Sequence, residues 1–296
     1  MKTKLLALFL LAAALVPAQT QPVLGEETTR VSDHVWAIMG WPNIGIVVGS
    51  RGVLVVDTGL GPRNGATIGR VVAKLAPGRK IFLATTHFHP EHAGGAAGFP
   101  ASTILVRNAV QQREMEEHGK EMVDLFAGRS PQFKELLADA TLPVPDVIFD
   151  NELKLDLGGA TARVLWFGGA HTKGDQLTFV EPDRTLISGD VVQNKVVPNI
   201  FREGGTPASW LAVLDRVAAL NVVHVLPDHS APGDGSMIDL EKNFIRDLRQ
   251  SALELKKQGV TVDAAGTQLS STFKAKYPDW PSMNVAGFVR SIYTLE

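Results

Sequence analysis

The sequence predicts an α/β protein in which stacked β-sheets are covered by helices on their outer faces. Three observations carry this. Short runs rich in β-branched residues alternate with amphipathic segments along the chain. The strands come in clusters with helices around them, in both halves. No Ser/Gly-rich linker, short repeat or low-complexity tract separates two units, and hydrophobic types are 45% of the 296 residues, enough for a substantial core.

In chain order, His34–Met39, Ile44–Val48 and Val53–Val56 read as strands, with turns at Gly40-Trp41-Pro42-Asn43 and Gly49-Ser50-Arg51-Gly52. Asn64–Leu75 reads as a helix stopped by Pro77-Gly78, and Ile81–Thr86 and Ile104–Val106 as strands. Ala109–Ala127 is an amphipathic helix, followed by a short one over Pro131–Ala140. Strands are predicted over Val147–Phe149, Leu153–Leu157, Ala162–Phe167, Leu177–Val180, Thr185–Ile187 and Val222–Leu226, with a helix over Pro207–Leu220. Ile238–Lys257 is a long helix whose Leu240, Phe244, Leu248 and Leu255 share a core-facing stripe.

The N-terminus reads separately. Lys2 and Lys4 precede an apolar run, Leu5–Val16, and small residues before Gln19. This pattern predicts a signal peptide over residues 1–18, removed after Ala18, and a single domain over 19–296. The run is too short to span a bilayer, which needs about 20 apolar residues. A periplasmic or secreted protein is expected, with no membrane attachment after cleavage. Removing both lysines leaves 27 basic against 31 acidic residues, a charge of −4. That balance gives no electrostatic reason for a nucleic acid partner. With no cysteine, there is no disulfide and any metal must be held by His, Asp or Glu.

The strongest chemical signal is Thr86-His87-Phe88-His89-Pro90-Glu91-His92. Three of only eight histidines and a carboxylate fall within six residues, directly after a predicted strand. Imidazole and carboxylate together are zinc ligands. His87 and His89 point the same way in extended backbone. Pro90 suits the first position of a helix, which swings Glu91 and His92 to another side, so the segment can feed two neighbouring metals. Asp57-Thr58-Gly59, Gly169 to Asp175 (with His171), Ser188-Gly189-Asp190 and Asp228-His229-Ser230 also follow predicted strands. Strand ends of an α/β layer open onto one edge, where ligand sites form.

As a set, these motifs resemble the metallo-β-lactamase superfamily, over a span from about Val31 to Lys257. The resemblance implies an αββα four-layer sandwich with a dinuclear metal site at one edge. It implies that His87, His89 and His171 hold one zinc ion, that His92 and His229 hold a second, and that Asp190 bridges them. Glu91 stands where the family usually has aspartate. If it reaches the metal, two Zn2+ ions are expected and Glu91 is a ligand able also to carry a proton. If it does not, one tightly bound ion suffices. Asp190 stands where one lactamase group has cysteine and another serine, which is more like glyoxalase-type and lactonase-type hydrolases. Asp57, Thr172 and Asp175 are candidates to orient the ligands from behind. Asp57 and Asp175 would otherwise serve as turn caps.

The implied chemistry is hydrolysis, with the metals lowering the pKa of a water toward ~7 and polarising a carbonyl oxygen. Glu91 and Asp190 are the catalytic candidates for moving the proton. Trp41 is a candidate to stack on substrate, Lys195 to hold an anionic group, and the segment Asn108–Pro145, with Met115, Met122 and Phe126 at helical spacing, to cap the site. An exported hydrolase of a small-molecule ester, lactone or amide is expected, with β-lactam turnover as a side activity. Phosphodiester or sulfate ester hydrolysis, a non-catalytic metal-binding protein and an oxygen-reducing di-iron protein are the alternatives.

Overall fold

The structure is a computed structural model that describes residues 21–201 and 204–296; the predicted signal peptide lies outside the described residues. Two sheets stack face to face. The first runs in the order β1 (Thr29–Arg30), β2 (Val35–Ile38), β3 (Ile44–Val48), β4 (Gly52–Val56), β5 (Lys80–Ala84), β6 (Ile104–Asn108), β7 (Val147–Phe149). It is antiparallel up to β4 and parallel from there. The second comprises β8 (Glu152–Asp156), β9 (Thr161–Trp166), β10 (Gln176–Glu181), β11 (Thr185–Gly189), β12 (His224–Pro227) and β13 (Gly233–Asp234), neighbours in that order. Only β11 and β12 pair in parallel.

The period of two along each strand divides the side chains between layers. In β4, Leu54 and Val56 pack with Val35, Val47, Ala84 and Val106 against Val164, Val180, Ile187 and Leu226 of the second sheet. Val53 and Val55 face the other way, onto Ile68, Val71 and Val72 of α1 (Pro62–Leu75). The outer face of the second sheet is covered by α5 (Pro207–Ala218), α6 (Ser236–Lys257), α7 (Val262–Lys276) and α8 (Ala286–Leu295), around Trp210, Phe244, Leu248, Trp280 and Phe288. Helix, sheet, sheet, helix is the expected αββα sandwich. No helix among the described residues is long and apolar enough to cross a membrane.

Two further helices flank one end of the first sheet, α3 (Ala109–Ala127) and α4 (Pro131–Leu137), after the short α2 (Pro90–Ala93). The Asn108 side chain accepts from the Val110 and Gln111 amides to start α3, and Ser130 does the same for Phe133 to start α4. Most predicted ends lie within two residues of those observed, and α3 matches its predicted bounds. One difference has a functional cause. Ile81–Thr86 was expected as strand, yet β5 ends at Ala84 because Thr85 and Thr86 are drawn away. The Thr86 amide donates to Asp57 Oδ1 at 2.7 Å, and the Gln111 side-chain amide reaches the carbonyls of Thr85 and Thr86. Helix α4 is shorter than predicted, ending at Leu137. Helices α7 and α8 had no counterpart in the sequence reading. Helix α7 carries Gly, Ser and Thr in its interior, all weaker helix formers than alanine, and stands on tertiary contact through Ala265, Leu269 and Phe273.

Candidate metal centre

Strands β4, β5, β9, β11 and β12 all deliver polar residues at their C-terminal ends, and these ends meet at one edge of the sandwich. After β4 the chain turns sharply. Asp57 takes a left-handed conformation (φ 73°), tolerated by aspartate better than by most residues, and is fully buried. The Thr58 amide then donates to the His92 carbonyl at 2.9 Å, and Thr58 Oγ1 accepts from the Gly95 amide at 2.8 Å, so this turn grips both ends of the segment carrying His92. A Cβ on Gly95 would lie 2.3 Å from the Thr58 carbonyl oxygen, which leaves glycine as the residue that fits.

The post-β5 segment divides as its sequence predicts. His87 and His89 stand in non-helical backbone, His89 caps α2, and Pro90 opens the helix that turns Glu91 and His92 aside. His87 Nε2 lies 2.9 Å from His89 Nδ1, and His171 Nε2, arriving from β9, lies 3.4 Å from the same His89 atom. These three buried residues form one group able to hold a metal ion; Glu91, His92 and His229 form a second. Asp190 lies between them, with Oδ2 3.4 Å from His171 Nε2 and Oδ1 3.3 Å from His229 Nε2.

The ring orientations are set from behind. His171 Nδ1 donates to the Asn199 carbonyl at 2.5 Å, which leaves the Nε2 lone pair facing the group. The 170–175 turn holding His171 is organised by Asp175, whose carboxylate accepts from the Thr172 amide, the Thr172 hydroxyl (2.7 Å) and the Ala170 amide. His92 Nδ1 lies 3.1 Å from Asp57 Oδ2 and 3.3 Å from Asp228 Oδ2, so it is the protonated nitrogen and Nε2 faces Glu91, 3.8 Å away. Thr86 Oγ1 sits among Asp57, Asp228, His87 and His92, all within 3.3 Å. Asp228, Thr86 and Asn199 were not assigned roles from sequence. Asp228 carried a usable signal, as a second acid at a strand end beside a ligand histidine; Asn199 acts through its backbone and left none.

Electrostatics follow from burial. Desolvation, with the neighbouring histidines, holds His87 and His89 well below the usual imidazole range, and burial lowers His229 to about 4. These rings are neutral and can donate lone pairs. Burial raises Glu91 to about 7 and Asp175 to about 6. Burial also works against the charge on Asp190, but His229 and His171 beside it win and hold it well below the carboxylate range. His92 is raised well above its usual value, because Asp57 and Asp228 outweigh its burial.

Several polar atoms at this edge have no hydrogen-bond partner among the described residues although fully buried, namely His89 Nε2, Glu91 Oε2, His92 Nε2, Asp228 Oδ1 and His229 Nδ1. Orphaned polar atoms at this density are costly unless an ion or water completes them. Imidazoles with carboxylates form a donor set suited to zinc, so the residues fit the metal that the sequence implied.

The walls are aromatic. Trp41 is 5.4 Å from the His229 ring, 5.4 Å from Phe133 and 6.4 Å from Phe126; Phe201 lies 4.6 Å from His89. Asn43 fixes the Trp41 turn across the two sheets, donating to the carbonyls of Pro227 and Ser230 at 2.8 Å. In the 108–145 segment, Met115, Met122 and Phe126 pack with Phe88 and Leu60, and Phe126 comes within 6.0 Å of His89. Lys195 is not brought into this group, because its ammonium pairs with Asp279.

A different buried carboxyl stands behind the site. Glu241 on α6 is 1% exposed, with the Gln193 backbone as the polar group that favours its charged form. Burial, together with the charge of Asp190, pushes it well above the ordinary carboxylate value of 4.5. The folded chain therefore holds this proton more tightly than the unfolded chain, and the stability it contributes at low pH is lost as pH rises from 4.5 toward the folded value. Glu241→Gln is expected to stabilise the protein relative to wild type at pH 8 and hardly at pH 4, read from urea midpoints. A pH-independent difference between the two proteins would show that Glu241 is not the group responsible.

The family model for the metallo-beta-lactamase superfamily matches residues 40–229. The linear primary-alkylsulfatase of Pseudomonas sp. (strain ATCC 19151) is 24% identical over 251 residues, covering 72% of this chain and 47% of its own length. This chain therefore spans about half of that relative. The acyl-coenzyme A thioesterase MBLAC2 of Bos taurus is 24% identical over 243 residues, covering 75% of this chain and 85% of its own. Among solved structures, a metallo-beta-lactamase from Pontibacter korlensis superposes with a TM-score of 0.59 at 20% identity, covering 75% of this chain and 99% of that one.

Proposed function

This chain belongs to the metallo-β-lactamase superfamily, and we propose that it is an exported, zinc-dependent hydrolase of small-molecule carbonyl esters, lactones or amides. The observation that carries the reading is the position of Asp190, whose two carboxylate oxygens each face a histidine of a different ligand group. A carboxylate there would let Asp190 serve ions held by either ligand group, making the two groups one reacting centre. His87, His89 and His171 would hold one ion and His92, His229 and Glu91 the other, with Asp190 shared.

Zinc held by these residues would supply Lewis acidity, acidifying water and polarising the substrate oxygen. The chain's own residues do the rest. Asp190, kept ionised by its histidine neighbours, orients the attacking oxygen from between the two groups. Glu91, buried beside His92, is placed to move between ligand and proton carrier. Asp57, Thr86 and Asp228 fix His92 from behind, and the Asn199 carbonyl fixes His171. Trp41, Phe126, Phe133 and Phe201 exclude water and offer an apolar surface.

Sulfate ester hydrolysis is the second reading, favoured by the likeness to an alkylsulfatase over 72% of this chain. The test is turnover of a lactone, a thioester, a β-lactam and an alkyl sulfate by the zinc-loaded chain, with and without chelator. Chelator-sensitive turnover of a carbonyl substrate is expected. Turnover of the sulfate alone would transfer the assignment to the second reading. A fully metallated chain inactive on every class would count against both.

A further inference from the structure

The turn between α3 and α4 carries a cation that the reading so far does not use. Arg129 is exposed, and its guanidinium carbon lies 3.4 Å from the centre of the Phe126 ring. That ring is buried, stacks with Trp41, and lies 6.0 Å from the His89 ring. One aromatic ring thus contacts the guanidinium and neighbours a histidine of the first metal group. Arg129 itself stands at the surface of the turn. Among the described residues no carboxylate pairs with it, whereas Lys195, the cation expected from sequence to serve the substrate, is engaged by Asp279. A guanidinium lying over a ring keeps the N–H donors on its edge, and those donors match two oxygens of a carboxylate or sulfate.

We infer that Arg129 is the anion anchor of this site: it binds an oxyanionic group of the substrate while Trp41, Phe126 and Phe133 cover the apolar part. The substrates are then anionic amphiphiles, either sulfate esters whose reacting group is itself held or carbonyl esters with a carboxylate a few bonds from the scissile bond. The inference rests on the hydrolase reading for its kinetic readout and on binding for an independent one. A guanidinium that merely shields Phe126 would act on stability and not on charge preference.

The experiment compares zinc-loaded wild type with Arg129→Gln and Arg129→Lys, checking that thermal midpoints are unchanged, as an exposed position allows. The substrates are mono-4-nitrophenyl glutarate, neutral 4-nitrophenyl butyrate and 4-nitrophenyl sulfate. Arg129→Gln should raise KM for the glutarate ester about tenfold, the size of one charge-assisted hydrogen bond at a hydrated site, with kcat and the neutral ester unaffected. Arg129→Lys should restore part of the loss. A rise confined to the sulfate would support the anchor and identify the reacting group as its ligand. In parallel, calorimetric binding of monobenzyl glutarate and of its neutral amide needs no turnover. Absence of hydrolysis with an Arg129-dependent preference for the acid would sink the hydrolase reading and keep the anchor. Equal behaviour of wild type and Arg129→Gln toward charged and neutral ligands in both assays would overturn it.

Discussion

Asp190→Asn is expected to lower turnover by about 10³-fold or more while leaving the fold intact, because it removes a charge shared by both halves of a reacting centre. The carboxylate sits 3.4 Å from His171 and 3.3 Å from His229, and it is the one acid at this edge that its surroundings hold strongly ionised. An amide is nearly the same size and keeps the bond from Gln193 Nε2 to Oδ1, 3.1 Å in the native chain. It cannot supply negative charge to two cations. Gly189 beside it has φ 57°, and a Cβ there would lie 2.8 Å from Thr86 Cβ, so the backbone approach that places Asp190 is independent of its own side chain. Kinetics alongside metal analysis check this, with kcat and metal content falling together. Full activity with Asp190→Asn would show that the two histidine groups work separately.

The second large effect is expected at Asp57, which touches no ligand lone pair. Asp57→Asn should weaken metal retention about 10–100-fold, the range found when partners behind a ligating histidine are changed. Asp57 Oδ2 lies 3.1 Å from His92 Nδ1 and Oδ1 accepts from the Thr86 amide. Asparagine tolerates the left-handed backbone (φ 73°), so loss of the negative charge is isolated from strain. Asp228, 3.3 Å from the same nitrogen, remains as a partial substitute. Chelator competition on wild type and variant measures the shift. Unchanged affinity would mean that Asp228 alone orients His92.

The layers and the histidines that gather at one edge were legible because both rest on local pattern. The unbroken apolar run Val53–Val56 records a strand buried on both faces, the stripe in α6 records a helix buried on one, and Pro90 records where extended backbone becomes helix. The histidines announce themselves by chemistry and position. What lies behind them is harder to read, since it depends on which strand ends meet. Asp228 comes within reach of His92 only because β12 belongs to the other sheet, and the Asn199 carbonyl serves His171 without any side-chain signal. Lys195 shows the same dependence on distant segments. Its nearness in sequence to Asp190 suggested a substrate contact, but its partner is Asp279, 84 residues away. Arg129 drew no reading from the sequence and gains meaning only when Phe126 is placed beside His89. Helix α7 was missed because burial, not propensity, sustains it.

Metal content of the folded chain tests the central claim most directly, that Asp190 joins two metal positions into one centre. After removal of metal with chelator and resupply of zinc, mass spectrometry under non-denaturing conditions should find about two zinc ions per chain, falling toward one in His229→Ala. A folded wild-type chain that takes up a single ion or none under these conditions would contradict the account.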